Sequence, residues 1–345
     1  MDKLTPEYLL RLLAEGASLC STDRAMAFPL LQQACALLWR LEPTAYPMSA
    51  TELERKLSLP LEDWLPAALR VDYEGPLLYS NIATQTCNEM LLELEVRELW
   101  ERVQTSVNRV KQACRLRAGG EAYYRQFRLF LIENPVIAPS QARDFFVPLN
   151  LSLDDFYQPI PPHLYHSGLL YLCPECRWPM NAQRHQVGCD SAWCQDKKSL
   201  FVRDGSTLVN RFDSSRLPGE QIQGRLMLKP AIWKFTLQPG LLEVALAKDL
   251  SANGFEIHLW PDVDRADLRV HIGSSYQEID AKVWMSAYAL ARYIKEIQTA
   301  TPCWIVIPDF QKASIPLLQT HCPAGIQVLT QSQCVKEAQR RAGAF

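Results

Sequence analysis

Three residues near the C-terminal end of the chain have side chains that suit phosphodiester chemistry. Asp267 opens the apolar run LRVHI, and Asp280 and Lys282 lie in the following run EIDAKVW. Because strand side chains alternate between faces, Asp280 and Lys282 should point to one side, and Ile279 and Ala281 into the protein. Carboxylates bind Mg²⁺ together with substrate phosphate, and a lysine beside them can orient or activate water. The pattern therefore predicts metal-assisted hydrolysis of a phosphodiester.

A fourth acid, Glu243, belongs to the segment PGLLEVALAKDL, which reads as a helix after Pro239 and Gly240. Glu243 falls in its first turn and would complete a ring of acids. Asp262 follows a proline, but it precedes the strand that Asp267 begins, and Asp267 is therefore favoured as the second metal ligand.

The order of these elements resembles the PD-(D/E)xK nuclease superfamily in its restriction-endonuclease-like form. A helix with Glu243, strands with Asp267 and with Asp280 and Lys282, the helix MSAYALARYIKEI and the strand CWIVIPDF follow one another. This order is similar to the αβββαβ core of that superfamily and covers roughly the last third of the chain. By that resemblance, Asp267 and Asp280 would hold Mg²⁺ or Mn²⁺, Lys282 would assist the water, and Glu243 would be an auxiliary acid.

Four cysteines form a second group with metal-ligand spacing. Cys173 and Cys176 are separated by two residues, and Cys189 and Cys194 by four. Two such pairs can supply a tetrahedral Cys₄ shell for Zn²⁺, with no position left for water, so the metal would be structural. His185 lies between the pairs and is an alternative ligand with less suitable spacing. A zinc ribbon joined to the C-terminal segment resembles the restriction-endonuclease partner encoded beside prokaryotic PIWI-RE proteins in defence loci.

Composition is ordinary for a globular protein, because 48% of the 345 residues are hydrophobic and 21% are charged. The net charge of −2 gives no global basic footprint, so contact with nucleic acid would need a local patch.

The densest basic stretch reads first as a solvated face and second as a surface for nucleic acid or a partner. It comprises Arg109, Lys111, Arg115, Arg117, Arg125 and Arg128. Burial is the favoured interpretation for the aromatic residues among them, which are Tyr123, Tyr124, Phe127 and Phe130.

The N-terminal sequence lacks the features of a secretory signal, and no apolar stretch approaches the ~20 residues that span a bilayer. Seven of the eleven cysteines lie outside the metal-type group and are scattered singly, as in a reducing compartment. The sequence therefore predicts a cytoplasmic protein without a membrane segment.

The sequence predicts three domains. Residues 1–150 are mainly helical, with a helix after Pro29, a capping box from Ser49 to Glu52, and a long helix from Asn88 to Arg117. Packing of these helices is favoured over a helix-turn-helix DNA reader. Residues 151–235 comprise a linker and the zinc ribbon, and residues 236–345 the nuclease-like domain. A proline-rich stretch from about 131 to 170 reads as an extended linker, and strands are predicted between Ser199 and Phe235, where RLMLKP would pair with the nuclease sheet.

Together these features predict an α+β multidomain protein that is a metal-dependent DNA endonuclease, the nuclease subunit of an antiviral defence system. DNA and a PIWI-like or helicase protein are the expected partners, and a homodimer would let each subunit cut one strand. The alternative is a catalytically silent nuclease-fold adaptor that binds DNA or a larger effector protein. No phosphate-binding P-loop is present, so an ATP-driven motor would be a separate protein.

Overall fold

The computed structural model describes residues 4–20, 23–44, 47–70, 73, 77, 104–182, 186–189, 191–197, 199–284, 287–297 and 302–343. They form an α+β protein with helices and several small sheets. The described residues fall into two compact units. One combines residues from 1–98 with 284–297, and the other combines residues from 99–283 with 298–345. No helix among the described ranges is long and apolar enough to cross a membrane.

The first unit is helical around a leucine-rich core. Asp23 caps its second helix by accepting a hydrogen bond from the Met26 amide, so this helix begins at Arg24 and includes Pro29, rather than starting after that proline. The predicted capping box between Ser49 and Glu52 is confirmed. The helices are Pro6–Cys20, Arg24–Leu41, Ala50–Lys56, Ala67–Arg70 and Ala287–Glu296, with a 3₁₀ turn at Leu61–Asp63.

The second unit begins with helical residues 104–115 and the helix Gly120–Glu133. Of the long helix predicted from 88 to 117, residues 88–103 lie outside the described residues. Tyr124, Phe127 and Phe130 are buried, as predicted, whereas Tyr123 is partly exposed. Short helices and 3₁₀ turns follow at Pro139–Ala142, Arg143–Phe146, Val147–Leu149, Leu153–Asp155 and Pro162–Leu164.

The stretch predicted as an extended linker is folded. The rings of Phe127, Phe146 and Phe156 lie 5.3–5.6 Å apart in one cluster, which buries large apolar surface. Strands Val136–Ile137 and Tyr157–Pro159 flank Leu226–Leu228 in a three-stranded antiparallel sheet. The prediction that RLMLKP pairs with the nuclease sheet is therefore wrong, because its strand is paired on both edges here.

The middle of the chain contains two further antiparallel sheets. One has the strands Gln186–Gly188, Leu200–Asp204, Thr207–Asn210 and Arg216–Pro218, and the other has Tyr165–His166, Leu169–Leu170 and Glu220–Gln221. The short helix Ala192–Asp196 lies between the first two strands of the larger sheet. After residue 228 the predicted strand is instead helical, at Pro230–Ile232 and in the π-helical turn Trp233–Leu237.

The C-terminal sheet has five strands in sequence order. Ile257–Leu259, Leu268–Ile272 and Ser275–Ala281 are antiparallel, and Cys303–Ile307 and Ile326–Thr330 extend the sheet in parallel. Helices Gln238–Ala252 and Gln331–Ala342 contact this sheet and each other. They cover a core that includes Leu246, Leu268, Ile279 and Trp304. Short helical segments connect the strands at Pro261–Asp264, Asp309–Ser314 and Ile315–Gln319.

Candidate active site and cysteine cluster

The strand register brings Asp267 and Asp280 together. Leu268 pairs with Ile279, so the preceding residue of one strand lies opposite the following residue of the other. Ile279, Ala281 and Val283 are buried, which leaves Asp280 and Lys282 on the other face, as the alternation predicts. The Asp267 side chain accepts a 2.8 Å hydrogen bond from the Ala281 amide, and this bond holds its carboxylate against the strand of Asp280.

Lys282 lies between the two carboxylates. Its ammonium group forms a close ion pair with Asp280, and its Nζ is 4.0 Å from Oδ2 of Asp267. The Lys282 amide donates to the carbonyl of Val306 on the neighbouring strand, which fixes its backbone. Two acids and one lysine therefore meet at one end of the sheet.

The electrostatics of this group favour capture of a cation. Burial raises the pKa of Asp267 well above its ordinary value, and the negative charges of Glu243 and Asp280 raise it further, against Lys282. The repulsion between carboxylates that are held together in this way decreases when a cation binds between them. Oxygen ligands of this type suit a hard divalent cation.

Glu243 lies near this group, but its carboxylate is hydrogen-bonded to other side chains. Its two carboxylate oxygens accept hydrogen bonds of 2.8 and 2.9 Å from Nη2 of Arg128, and Oε2 also accepts from the indole of Trp260. Glu243 is 1% exposed, and burial raises its pKa even though Arg128 opposes the shift. The guanidinium of Arg128 also lies over the Trp260 ring at 4.8 Å.

Arg128 is the residue that sequence reasoning placed wrongly, in a solvated basic patch. It is 8% exposed and also pairs with Asp264, which Lys111 contacts as well. These two cations hold the pKa of Asp264 below its ordinary value, although burial opposes them. The local sequence carries no signal of this burial, because a buried charge requires an acidic partner and the partners Glu243 and Asp264 lie 115 and 136 positions away along the chain.

Two further arginines of the same stretch bind backbone in the segment before Asp267. Arg115 donates to the carbonyl of Val263, and Arg125 to that of Leu259. This segment contains four non-glycine residues with left-handed backbone, namely Trp260, Asp262, Val263 and Asp264. Such a conformation is costly for a β-branched valine and persists only where the surroundings hold it. Part of the basic stretch therefore binds this segment, although Arg115 is exposed, as are Arg109 and Arg117.

Asp262, which directly follows Pro261, pairs with an arginine and does not join Asp267 and Asp280. Its carboxylate pairs with Arg269 at 3.1 Å, and half of the side chain is exposed. Arg269 also pairs with Glu278 on the next strand at 3.1 Å.

The four predicted metal-ligating cysteines converge. Cys173, Cys176, Cys189 and Cys194 are buried, and their sulfur atoms all lie within 4.8 Å of one another. The first pair lies on a turn in which the amide of Arg177 donates to the carbonyl of Cys173, and Cys194 belongs to the short helix Ala192–Asp196. The Sγ atoms of Cys176 and Cys189 are 3.6 Å apart, close to the separation of about 3.8 Å that tetrahedral Zn–S bonds impose.

These thiols form a strongly interacting set. Hydrogen bonds from Cys176, Cys189 and Cys194 lower the pKa of Cys173, whereas the bond with Cys173 raises the pKa of Cys189 and of Cys194. None of the four is in a disulfide, and the group could bind a metal such as zinc. The alternative ligand His185 lies outside the described residues.

The chain was compared with known proteins. No curated protein and no solved structure matches it. A family model described as "REase associating with pPIWI_RE" matches residues 240–345, which contain Glu243, Asp267, Asp280 and Lys282. The resemblance to the restriction-endonuclease component associated with PIWI-RE proteins is therefore confirmed over this C-terminal segment.

Proposed function

We propose that the protein is a metal-dependent DNA endonuclease and acts in a defence system together with a PIWI-like partner. The observation that carries the proposal is the meeting of Asp267, Asp280 and Lys282 at one end of the C-terminal sheet. This sheet lies in the segment that matches the restriction-endonuclease family. The order of helix, three antiparallel strands, helix and parallel strand along the chain supports an αβββαβ nuclease core for residues 236–345, although the helix Ala287–Glu296 belongs to the first unit.

The roles of the residues follow from their positions. Asp267 and Asp280 would hold Mg²⁺ or Mn²⁺ through oxygens that face each other across two strands. The divalent ion, when bound, would stabilise negative charge on the phosphate and lower the pKa of water. Lys282 would leave its ion pair with Asp280 to orient the attacking water or to neutralise charge on the phosphate oxygens.

Glu243 would act as an auxiliary acid by its charge rather than as a metal ligand. Both of its oxygens are hydrogen-bonded to Arg128, and this arrangement places a fixed negative charge behind Asp267. Such a charge increases the attraction of the site for a cation.

The cysteine cluster would be a structural zinc site in a ribbon domain spanning about residues 151–235. All four ligands would come from the protein, and their burial excludes substrate from the metal. We further propose that DNA is the substrate and that the PIWI-like partner brings it to the nuclease, since the family is described as associating with pPIWI_RE.

The second candidate function is a silent adaptor that keeps the nuclease fold for binding. The close ion pair between Lys282 and Asp280 favours it, because this pair neutralises a carboxylate without any metal. An adaptor would bind DNA in a salt-dependent manner, or bind the partner, without cutting.

The decisive experiment is cleavage of supercoiled plasmid and of single-stranded DNA with Mg²⁺ or Mn²⁺, alone and with the co-purifying partner. Wild type should cut, whereas Asp280→Ala and Lys282→Ala should lose cleavage with the fold intact. The matched controls are Asp154→Ala and Lys248→Ala, which change exposed residues of the same types. Retained cutting in either site variant, in protein free of contaminating nuclease, would reject the assignment. DNA binding without cutting in the presence of the partner would favour the adaptor.

A further inference from the structure

A second group of metal-type side chains lies on the C-terminal sheet, apart from the carboxylate pair. Glu256 immediately precedes the edge strand Ile257–Leu259, His258 lies in that strand, and His271 comes from the strand beside it. One ligand atom from each residue lies within 4.8 Å of the other two. We propose that these three residues form a zinc-binding site with one open coordination position.

The sheet register explains why the three side chains converge. Ile257 pairs with Val270, so Glu256 lies directly opposite His271, and the His271 amide donates to the Glu256 carbonyl at 3.0 Å. His258 is two residues beyond Glu256 and therefore points to the same face. The convergence is built into the backbone pairing and does not depend on a flexible loop.

The separations are close to those of a metal site. In tetrahedral zinc coordination with bonds of about 2.0–2.1 Å, neighbouring ligand atoms lie about 3.3 Å apart. Nε2 of His258 and Oε1 of Glu256 are 3.2 Å apart, and the two imidazole ring centres are 5.5 Å apart. Rotation of the half-buried imidazole of His271 would complete the geometry.

The donor set indicates which metal the site would take. Two imidazoles and one carboxylate suit Zn²⁺ and other late divalent metals, whereas Mg²⁺ prefers oxygen ligands. Three protein ligands at a surface leave a position for water or an anionic oxygen. Arg269, which the register places opposite His258, pairs with Asp262 and Glu278 and packs over Tyr276, so its charge is compensated.

This site is separate from the candidate active site. His271 is four residues from Asp267 along one strand, a distance of about 13 Å at the usual rise of a strand. Bound zinc would link the three-residue edge strand Ile257–Leu259 to its only neighbour in the described sheet. It would thereby add a metal link to an edge strand that backbone pairing and the bond from Arg125 to the Leu259 carbonyl already hold.

The test uses the full chain labelled with ¹⁵N-histidine, which has six histidines in all. Zn²⁺ is added after the cysteine cluster has been loaded and with Mg²⁺ in excess to occupy the carboxylate pair. We expect the ring nitrogens of His258 and His271 to shift together and those of exposed His163 to stay unchanged. The ring signals are assigned by their loss in His258→Ala and His271→Ala.

Affinity for this added Zn²⁺ is then measured by calorimetry. His258→Ala and His271→Ala should each weaken it by about tenfold or more, since even indirect partners of a metal are worth about 10–100-fold. Glu256→Gln should also weaken it, and His163→Ala should not. Unchanged ring signals of His258 and His271 in the wild type, or an affinity for Zn²⁺ in both histidine variants equal to that of the wild type, would overturn the proposal. The wild-type spectrum decides the matter even where a variant folds poorly.

Discussion

A single nitrogen of Arg128 donates to both carboxylate oxygens of Glu243, 115 positions later in the chain. The pair connects the helix Gly120–Glu133 to the helix Gln238–Ala252 and lies directly behind the candidate active site. A contact of this kind makes the nuclease-like segment dependent on residues outside it.

Removal of Arg128 should therefore be costly. Arg128→Ala removes the cationic partner of buried Glu243, although the indole of Trp260 still donates to it, and we expect the free energy of unfolding to fall by about 3–5 kcal/mol. Urea unfolding measures this change. The control is Arg216→Ala, whose pair with Asp204 is more than half exposed and should be worth about 1 kcal/mol or less. Equal losses of unfolding free energy in the two variants would show that the buried pair stabilises the fold no more than an exposed pair does.

A double substitution that removes both charges also tests the interaction between Arg128 and Glu243. Arg128→Met combined with Glu243→Gln removes both charges, so it should recover much of the stability that Arg128→Ala loses. The double variant should be compared with each single variant in a double-mutant cycle. Strict additivity would contradict a direct interaction between the two side chains.

The two aspartates that could supply the second carboxylate should behave differently. Asp267→Asn should abolish metal-dependent cleavage, because it removes a charge that faces Asp280 and Lys282. Asp262→Asn should retain cleavage, since this side chain is half exposed and pairs with Arg269. Plasmid cleavage with Mn²⁺ compares the two variants. Loss of cleavage only in Asp262→Asn would move the metal site to the literal Pro-Asp pair.

The cysteine cluster should retain one zinc ion per chain after dialysis against a chelator. Cys176→Ser should lose that ion and melt at a lower temperature, because four buried thiols would no longer share a metal. Cys322→Ser is the matched control, since its sulfur lies outside the cluster and bonds to the Leu318 carbonyl. Metal content by mass spectrometry and thermal melting check both results. Equal zinc in the two variants would contradict this prediction.

Glu337 provides a test of pH dependence in the last helix. Hydrogen bonds from Arg340 and Arg341 lower its pKa to about 2, although burial opposes the shift. Because the folded pKa is below the ordinary value, the ion pairs stabilise the protein above that value and are lost as pH falls toward 2. Glu337→Gln should cost less than about 1 kcal/mol at pH 7, since its partner Arg340 is largely exposed to solvent.

The difference in the free energy of unfolding between wild type and Glu337→Gln, measured with urea, should become smaller as the pH is lowered from 5 toward 3. A gap that stays constant or widens over this interval would contradict the assigned ion pairs.

The sequence predicted the C-terminal elements well because their signals are local. The alternation around Asp280 predicted the strand Ser275–Ala281, although the strand begins earlier and ends before Lys282. The continuous apolar runs predicted Cys303–Ile307 and Ile326–Thr330 as buried strands. The cysteine spacing similarly predicted a group that converges in space.

Features that depend on distant contacts were not predictable in the same way. Arg128 has a basic neighbour at Arg125, so its local pattern indicates a surface, and only its tertiary contact with Glu243 shows burial. The strand Leu226–Leu228 has a pattern that fits any sheet, and local sequence cannot distinguish its actual partners. The group of Glu256, His258 and His271 depends on strand register, which no spacing along the chain reveals. The boundaries near residues 150 and 235 stay predictions.

The helix Ala287–Glu296 lies between two neighbouring strands of the C-terminal sheet in sequence, yet it belongs to the unit built from the N-terminal helices. The two units are therefore interlaced along the chain, and no single cut separates them. A recombinant fragment limited to residues 240–345 would contain this helix without the rest of its unit. Apolar residues such as Leu290 and Ile294, which are buried in the full chain, would then lose the residues that cover them.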